Sequence, residues 1–346
     1  MNDSYGRTID YMRISITDRC NLRCKYCMPY GVECVEPRDI LTLEEIQAVA
    51  MAGAGLGIRH IKVTGGEPLT RKGCCQMIRM LKAIPGIEKV TITTNGILLG
   101  RYLEELVDSG IDGINISLDT VDRDTYREIT GYDGLAEVIE VLERAASLPI
   151  PIKINAVSID FDGGWASVAE LARTYPVDVR FIEMMPIGFG RNFKTLNHQE
   201  LLSEMKKRYP GMEPDFRVHG FGPAVYYQIP GFQGSIGLIS AIHGKFCGDC
   251  NRVRLTSQGH LKTCLCFEDG VDLRSILREE EGEAASGSLR ANGHWQWRYQ
   301  SCPDDKALQQ RLTAAMSQAI QLKPAAHCFE NPEYITEVHN MVDIGG

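Results

Sequence analysis

Residues 11–29 read YMRISITDRCNLRCKYCMP. The first seven alternate in character. Arg13, Ser15 and Thr17 fall on one face and Ile14 and Ile16 on the other, the period-2 pattern of a β-strand. Cys20, Cys24 and Cys27 follow at once, spaced C-x3-C-x2-C. Three thiolates on one tight loop can hold three corners of a cubane 4Fe–4S cluster. The fourth iron then has no protein ligand and is open to bind a small molecule and pass it an electron. The rival is a zinc knuckle. Zinc usually takes four ligands in CxxC pairs, and no fourth Cys or nearby His completes this set.

The strand-then-helix pattern continues outward. Further strands are expected at 60–64, 89–93, 113–119, 150–157 and 177–182, with amphipathic helices between them. Residues 42–45 (Thr-Leu-Glu-Glu) form a capping-box pattern that opens a helix burying Ile46, Val49 and Ala50. A second helix over 98–109 has Leu103, Leu106 and Val107 on one face, and a third over 135–146 has Val138, Ile139 and Leu142. Repeated strand–helix units imply parallel strands with right-handed crossovers, hence an α/β fold built as an open or partial (β/α)6 barrel. Chemistry in such barrels collects at the C-terminal ends of the strands, where Cys20 to Cys27 fall.

Parallel strands covered on both faces usually read as continuous apolar runs. These alternate instead. Lys62 and Thr64, Thr91 and Thr93, Asn115, Ser117 and Asp119, Lys153 and Asn155, and Arg180 all oppose apolar neighbours. Helices must cover the apolar side, so the polar side faces the lumen. A single Lys at a strand end snorkels to solvent. Arg13, Lys62, Lys153 and Arg180 at matching positions would be costly to bury unless the lumen held an anion, such as a polyphosphate or polycarboxylate. After the second strand comes Thr64-Gly65-Gly66-Glu67-Pro68. Its glycines admit a close ligand and Glu67 could accept from an ammonium; a plain turn is the alternative.

The 346 residues are 44% hydrophobic and 24% charged, with net charge −8 and pI about 5.6, an ordinary globular balance. The acidic balance argues against nucleic-acid binding. No apolar run approaches a membrane span, and the 19 residues before Cys20 leave no room for a leader. The 12 cysteines therefore suggest reduced thiols in the cytoplasm.

From about residue 187 the alternation is lost, so we expect a barrel over 1–186 and a smaller region packed on it over 187–346. Cys247 and Cys250 form a CxxC, and Cys264 supplies a third thiol, with Cys266 as a rival for that place. A zinc ribbon short of one ligand or a redox pair fits this set in isolation; beside the first triad a second cluster is favoured. Arg252 and Arg254 flank Val253 and share one face in extended chain, adding two cations near the metal. Cys34, Cys74, Cys75, Cys302 and Cys328 lack ligand spacing and read as buried thiols. Residues 279–303 read as an exposed loop, with Trp295 and Trp297 in a local hairpin.

The three-Cys loop with Tyr26 before its last cysteine resembles the radical S-adenosylmethionine (SAM) superfamily. The set SITDRCNLRCKYCMP, VTGGEP, TTNG at 93–96, INISLD at 114–119, RFIEMMPIG at 180–188, FCGDCNRVRLTSQGHLKTCL at 246–265 and the final Gly345-Gly346 resembles the GTP 3′,8-cyclases of molybdenum-cofactor biosynthesis over almost the whole chain. That resemblance implies a lyase with two 4Fe–4S clusters and SAM. Cys20, Cys24 and Cys27 would hold the SAM-cleaving cluster. Cys247, Cys250 and Cys264 would hold the second, whose open iron meets the purine. Tyr26, Gly66, Glu67, Ser117 and Met185 would contact SAM. Arg13, Lys62, Thr93, Lys153, Arg180, Arg252, Val253 and Arg254 would bind GTP. Arg252, Arg254, Gly345 and Gly346 would serve catalysis, the terminal glycines inserting toward the site. The implied reaction generates a 5′-deoxyadenosyl radical that takes the ribose 3′ hydrogen of GTP. The C3′ radical then attacks C8, giving 3′,8-cyclo-7,8-dihydro-GTP, the first step toward molybdopterin. An electron donor such as a flavodoxin or ferredoxin is implied, and a homodimer is open. The 279–303 segment is longer than that family usually carries.

Two other readings are weighed: a radical SAM peptide maturase with an auxiliary cluster, which needs no cationic lumen, and a non-catalytic iron–sulfur or zinc regulatory protein.

Overall fold

The computed structural model describes residues 1–31, 35–159, 164–194, 196–278 and 305–344. Cys34, Cys302, the 279–303 segment with Trp295 and Trp297, and Gly345 and Gly346 lie outside the described residues.

Six strands carry the expected alternation: β1 (Tyr11–Ser15), β2 (His60–Thr64), β3 (Lys89–Thr94), β4 (Ile114–Ser117), β5 (Ile152–Ser158) and β6 (Asp178–Glu183). They pair in chain order and in parallel. The connections carry α1 (Leu43–Gly55), α2 (Cys74–Lys82), α3 (Leu99–Asp108), α4 (Arg123–Thr130), α5 (Leu135–Ala146), α6 (Trp165–Ala169) and α7 (Leu171–Thr174), and α8 (His198–Arg208) follows β6. The capping box forms. The Thr42 hydroxyl accepts from the Glu45 N–H, and the Glu45 carboxylate accepts from the Thr42 N–H. Arg278 holds the same carboxylate at 2.7 Å. In α3, Leu103 and Leu106 are buried with Leu99, while Val107 is half-buried. In α5, Val138 and Leu142 are buried with Val141, while Ile139 is half-buried.

The apolar strand faces (Ile14, Ile61, Val63, Ile92, Ile116, Ile154, Phe181) are buried in one core with the helices. Burying a side chain of this kind contributes roughly 1.5–3 kcal/mol. The polar faces line the other side, and the sheet curls around them. One cavity is lined by Arg13 of β1, Thr64 of β2, Thr93 of β3, Ser117 of β4, Asn155 of β5 and Ile182 of β6. In a flat sheet the first and last of those strands would stand about 24 Å apart, at about 4.8 Å per step.

The region beyond 186 differs from expectation. It supplies β7 (Glu213–Asp215), β8 (Val225–Gln228), β9 (Ile236–Ile239), β10 (Arg252–Leu255), β11 (His260–Lys262) and β12 (Gly270–Asp272) to the same sheet. The strand order is β12-β11-β10-β1-β2-β3-β4-β5-β6-β9-β8-β7. β10 lies parallel to β1 and β9 parallel to β6. Both edges of the six-strand unit would otherwise present unpaired N–H and C=O groups, and the C-terminal half covers them instead of packing as a separate layer. α9 (Leu273–Arg278) leads on from β12, and α10 (Lys306–Gln321) packs on α1. Among the described residues no helix is long and apolar enough to cross a membrane.

Phe181 on β6 is 2% exposed. Phe181→Ala leaves a cavity between sheet and helices and should lower the unfolding free energy by about 3–5 kcal/mol, read as a fall in urea midpoint at unchanged m-value.

Candidate active site

The loop after β1 brings Cys20, Cys24 and Cys27 onto the cavity wall, beside Leu22, Tyr26, Gly65, Gly66, Ser117 and Met185. Burial and their mutual proximity raise the pKa of these thiols, that of Cys27 to about 12. Cys20 is raised as well, chiefly by burial. As thiolates they require a cationic partner. Donors already point at one of the sulfurs. The Leu22 N–H lies 3.4 Å and Asn95 Nδ2 3.8 Å from Cys20 Sγ. Hydrogen bonds of this kind support cluster-ligating sulfur. Among the described residues no three His, Cys, Asp or Glu side chains are arranged around one metal ion. A cubane spreads its thiolates over different irons, so the triad fits a cluster.

The glycine pair after β2 seats this loop. A Cβ on Gly66 would fall 2.4 Å from the Arg19 carbonyl oxygen, and one on Gly65 would fall 2.7 Å from that of Thr17. The Gly66 and Glu67 N–H groups donate to those two carbonyls, each at 2.8 Å. Glu67 lines the same cavity. Its carboxylate is fully buried and accepts from Thr94 Oγ1 at 2.8 Å, Leu69 N at 3.0 Å and Asn95 N at 2.7 Å. Burial pushes it up to about 7 against those bonds. The side chain therefore braces the β2 and β3 loops through Oε1 and Oε2, with acceptor capacity left on Oε2 toward the cavity it lines. Tyr26 donates to Asp119 Oδ2 at 2.7 Å, and the other Asp119 oxygen accepts from Val157 N.

Arg13 pairs in register with Lys62 on one side and Arg254 on the other. Burial first, then Arg252 and Arg180, lower Arg13 to about 10 against an opposing effect of Tyr11. Lys62 falls well below the ordinary lysine value, through burial first and then through Arg180, Arg13, Lys153 and Arg252. Arg180 donates to neutral amide oxygens, Asn115 at 2.6 Å and Asn155 at 2.6 Å. Thr93 Oγ1 is buried with no hydrogen-bond partner among the described residues. These groups suit a polyanion with hydroxyl and carbonyl groups.

Two expected substrate contacts lie elsewhere. Val253 is 0% exposed in the core against Met12, because odd and even residues of β10 face opposite sides. Lys153 turns to the 215–226 segment. Its ammonium donates to the His219 carbonyl and lies 3.2 Å from Tyr226 Oη and 3.5 Å from Asp178.

Cys247, Cys250 and Cys264 face one another at the start and end of the β10–β11 hairpin; Cys250 and Cys247 both act on the Cys264 thiol. Cys250 sits below its ordinary value: burial raises it, but Lys323 and Arg252 together outweigh burial. Arg254 lines the first cavity and also feels Cys250 and Cys264, so it bridges the two sites. Cys266, the rival ligand, instead lies 3.1 Å from Cys328 Sγ. Cys74 and Cys75 are buried as expected. Sequence spacing missed Lys323 and His327, whose N–H lies 3.5 Å from Cys247 Sγ. Both stand alone in an irregular segment that carries no motif. Asn95 was legible within TTNG but was given no role.

A curled parallel sheet with a three-thiol loop at the C-terminal end of its first strand defines a radical SAM enzyme fold. The Radical SAM superfamily model matches residues 14–163, and Molybdenum Cofactor Synthesis C matches residues 177–300. A solved structure of Streptococcus suis SuiB bound to S-adenosylmethionine shares the fold, with TM-score 0.59 and 13% identity over 97% of this chain and 77% of that one. The chain is 45% identical to the GTP 3′,8-cyclase of Alkaliphilus oremlandii, covering 80% of this chain and 88% of that protein. It is 38% identical to that of Clostridium perfringens with full coverage of both, and 40% identical to that of Moorella thermoacetica over 96% of each. The chain belongs to the GTP 3′,8-cyclase family.

Gly66→Ala should displace the Arg19 peptide and with it Cys20. Iron analysis after anaerobic reconstitution should show about half the iron lost, one of two four-iron clusters, with far-UV circular dichroism unchanged.

Proposed function

We infer that this chain is a radical SAM GTP 3′,8-cyclase that converts GTP to 3′,8-cyclo-7,8-dihydro-GTP, the first step of molybdopterin biosynthesis. The observation that carries the reading is Arg254, which touches the cavity of one thiol triad and the field of the other, with further cations beside it. A substrate between two clusters must be anionic. GTP has a triphosphate for the cations and a purine for the second site.

When bound, the two 4Fe–4S clusters and SAM supply the electron and the hydrogen-abstracting radical. The chain does the rest. Cys20, Cys24 and Cys27 hold the first cluster; Cys247, Cys250 and Cys264 hold the second. Gly66, Ser117, Met185 and Tyr26 line the SAM position, with Glu67 acting through the loops it braces. Arg13, Lys62, Arg252 and Arg254 neutralise the triphosphate and hold C3′ opposite C8, so that the ring closes from a near-attack geometry. Thr93 offers its free hydroxyl to the nucleotide. Arg180 sets Asn115 and Asn155, and Lys153 joins the substrate when it leaves the His219 carbonyl. Leu22, Met28, Val157 and Ile182 form an apolar wall that keeps water from the radical. A flavodoxin or ferredoxin delivers the electron in the cytoplasm, and the enzyme works as a monomer or a homodimer.

The test is SAM cleavage by the anaerobically reconstituted chain. GTP should yield cyclised nucleotide together with 5′-deoxyadenosine. Equal 5′-deoxyadenosine with and without GTP, and no cyclised product, would overturn the assignment. Cys264→Ala should keep SAM cleavage and lose cyclisation. Arg252→Ala should weaken GTP binding about tenfold, read by equilibrium dialysis, since a charge-assisted bond contributes roughly 1.5–3 kcal/mol.

A further inference from the structure

After α10 the chain runs from 322 to 344 with no strand and one short turn, Pro332–Tyr334. A segment without a backbone ladder must be held by other means. This one touches both thiol sites. The Lys323 ammonium donates to the carbonyls of Arg252, at 3.0 Å, and Thr263. The His327 N–H points to Cys247, and His327 Nε2 lies 2.6 Å from the Ala241 carbonyl. At the far end Met341 and Val342 line the first cavity together with Cys27.

Between those ends lies one buried ion pair. Glu337 Oε2 is 2.6 Å from Lys262 Nζ, at side-chain exposures of 0% and 2%. Lys262 also donates to the carbonyls of Phe267 at 2.8 Å and Glu268 at 3.1 Å. The other Glu337 oxygen accepts from His339 N and faces His339 Nδ1, at 2.9 and 2.8 Å. Arg191 donates to the Glu337 carbonyl at 2.8 Å, and the Glu337 N–H donates to that of Cys266. Just beyond, Asn340 packs on Gly188, where φ is +51° and a Cβ would fall 2.6 Å from Asn340 Oδ1. Among the described residues no hydrogen bond or ion pair joins the Lys262 or Glu337 side chain to a cysteine of either triad.

We propose that Lys262 and Glu337 are positioning residues: their ion pair latches the C-terminal segment so that it spans both cluster sites and presents its last residues to the first. The latch rests on the cyclase reading for its consequence but not for its existence. Removing one partner leaves the other charge buried and alone, which favours local opening over the closed segment. The paths from both ends then uncouple. Met341 and Val342 then leave the cavity wall beside Cys27.

The experiment compares parent, Glu337→Gln and Lys262→Met as reconstituted holoenzymes. Hydrogen exchange by mass spectrometry over 338–344 should quicken about a hundredfold in both variants, with strands β1–β6 unchanged. Iron content should stay at the parent value, while cyclised product per 5′-deoxyadenosine falls at least about tenfold. The double variant Lys262→Met/Glu337→Leu replaces the pair by apolar contact and should recover most of the exchange protection. Should the single variants fail to fold, Gly188→Ala displaces the same segment without a stranded charge and should give the same two changes. Unchanged exchange over 338–344, or quickened exchange with unchanged product ratio, would overturn the latch. A parent protein that makes no cyclised nucleotide would overturn the functional reading instead, and the exchange result would still judge the latch.

Discussion

Repulsion among cations that the strands force onto one inner face governs this structure. Arg13, Lys62 and Arg254 sit side by side by register, and Arg180 and Arg252 are near enough to depress them. Placing like charges together away from water opposes folding. The sign of the linkage follows. Lys153 falls from 10.5 to about 8 on folding, mainly by burial and then by Arg180. Across that window the unfolded chain holds more protons, so this group's contribution to stability rises with pH and is unfavourable below about 8. The apolar outer faces of the same strands offset the cost, which is why the alternation is strict.

The two thiol sites sit at elements that the cations also occupy. The first follows β1, whose Arg13 enters the lumen; the second flanks β10, which carries Arg252 and Arg254. Because β10 lies parallel to β1, the C-terminal half brings its triad to the barrel by strand pairing. The pairing that covers the edge of the six-strand unit thus also brings the second triad beside the barrel.

Much of this was legible in the chain. The bounds of β2 and α5 match the expected spans because a polar–apolar period of 2 and an uninterrupted amphipathic run leave little choice. The cysteines were legible because ligand spacing is local. Long-range features were not. Nothing in the spacing of Cys264 and Cys266 says which faces Cys247; Cys328, 62 residues from Cys266, decides it. Glu67 has the chemistry to meet an ammonium, but Thr94 and Asn95 hold it as well, across a strand pairing. Val253 shares its motif with two arginines but not their face. Lys153 fits the lumen pattern, yet its long side chain reaches Asp178 and His219. The strands β9 and β10 were hidden because each is only four residues long and stands among turns.

The central claim is that the lumen is a binding site for a polyanion and not merely a strained core. Calorimetry of GTP binding to the reconstituted enzyme, without reductant or SAM, tests it directly. Titrations near about pH 9, between the Lys153 value of about 8 and the ordinary 10.5, should be run in buffers of different ionisation enthalpy. A triphosphate favours the charged form of Lys62 and Lys153 and raises their pKa, so binding should take up protons, and affinity should fall as pH rises further. Proton release, or binding with no buffer dependence, would contradict the account.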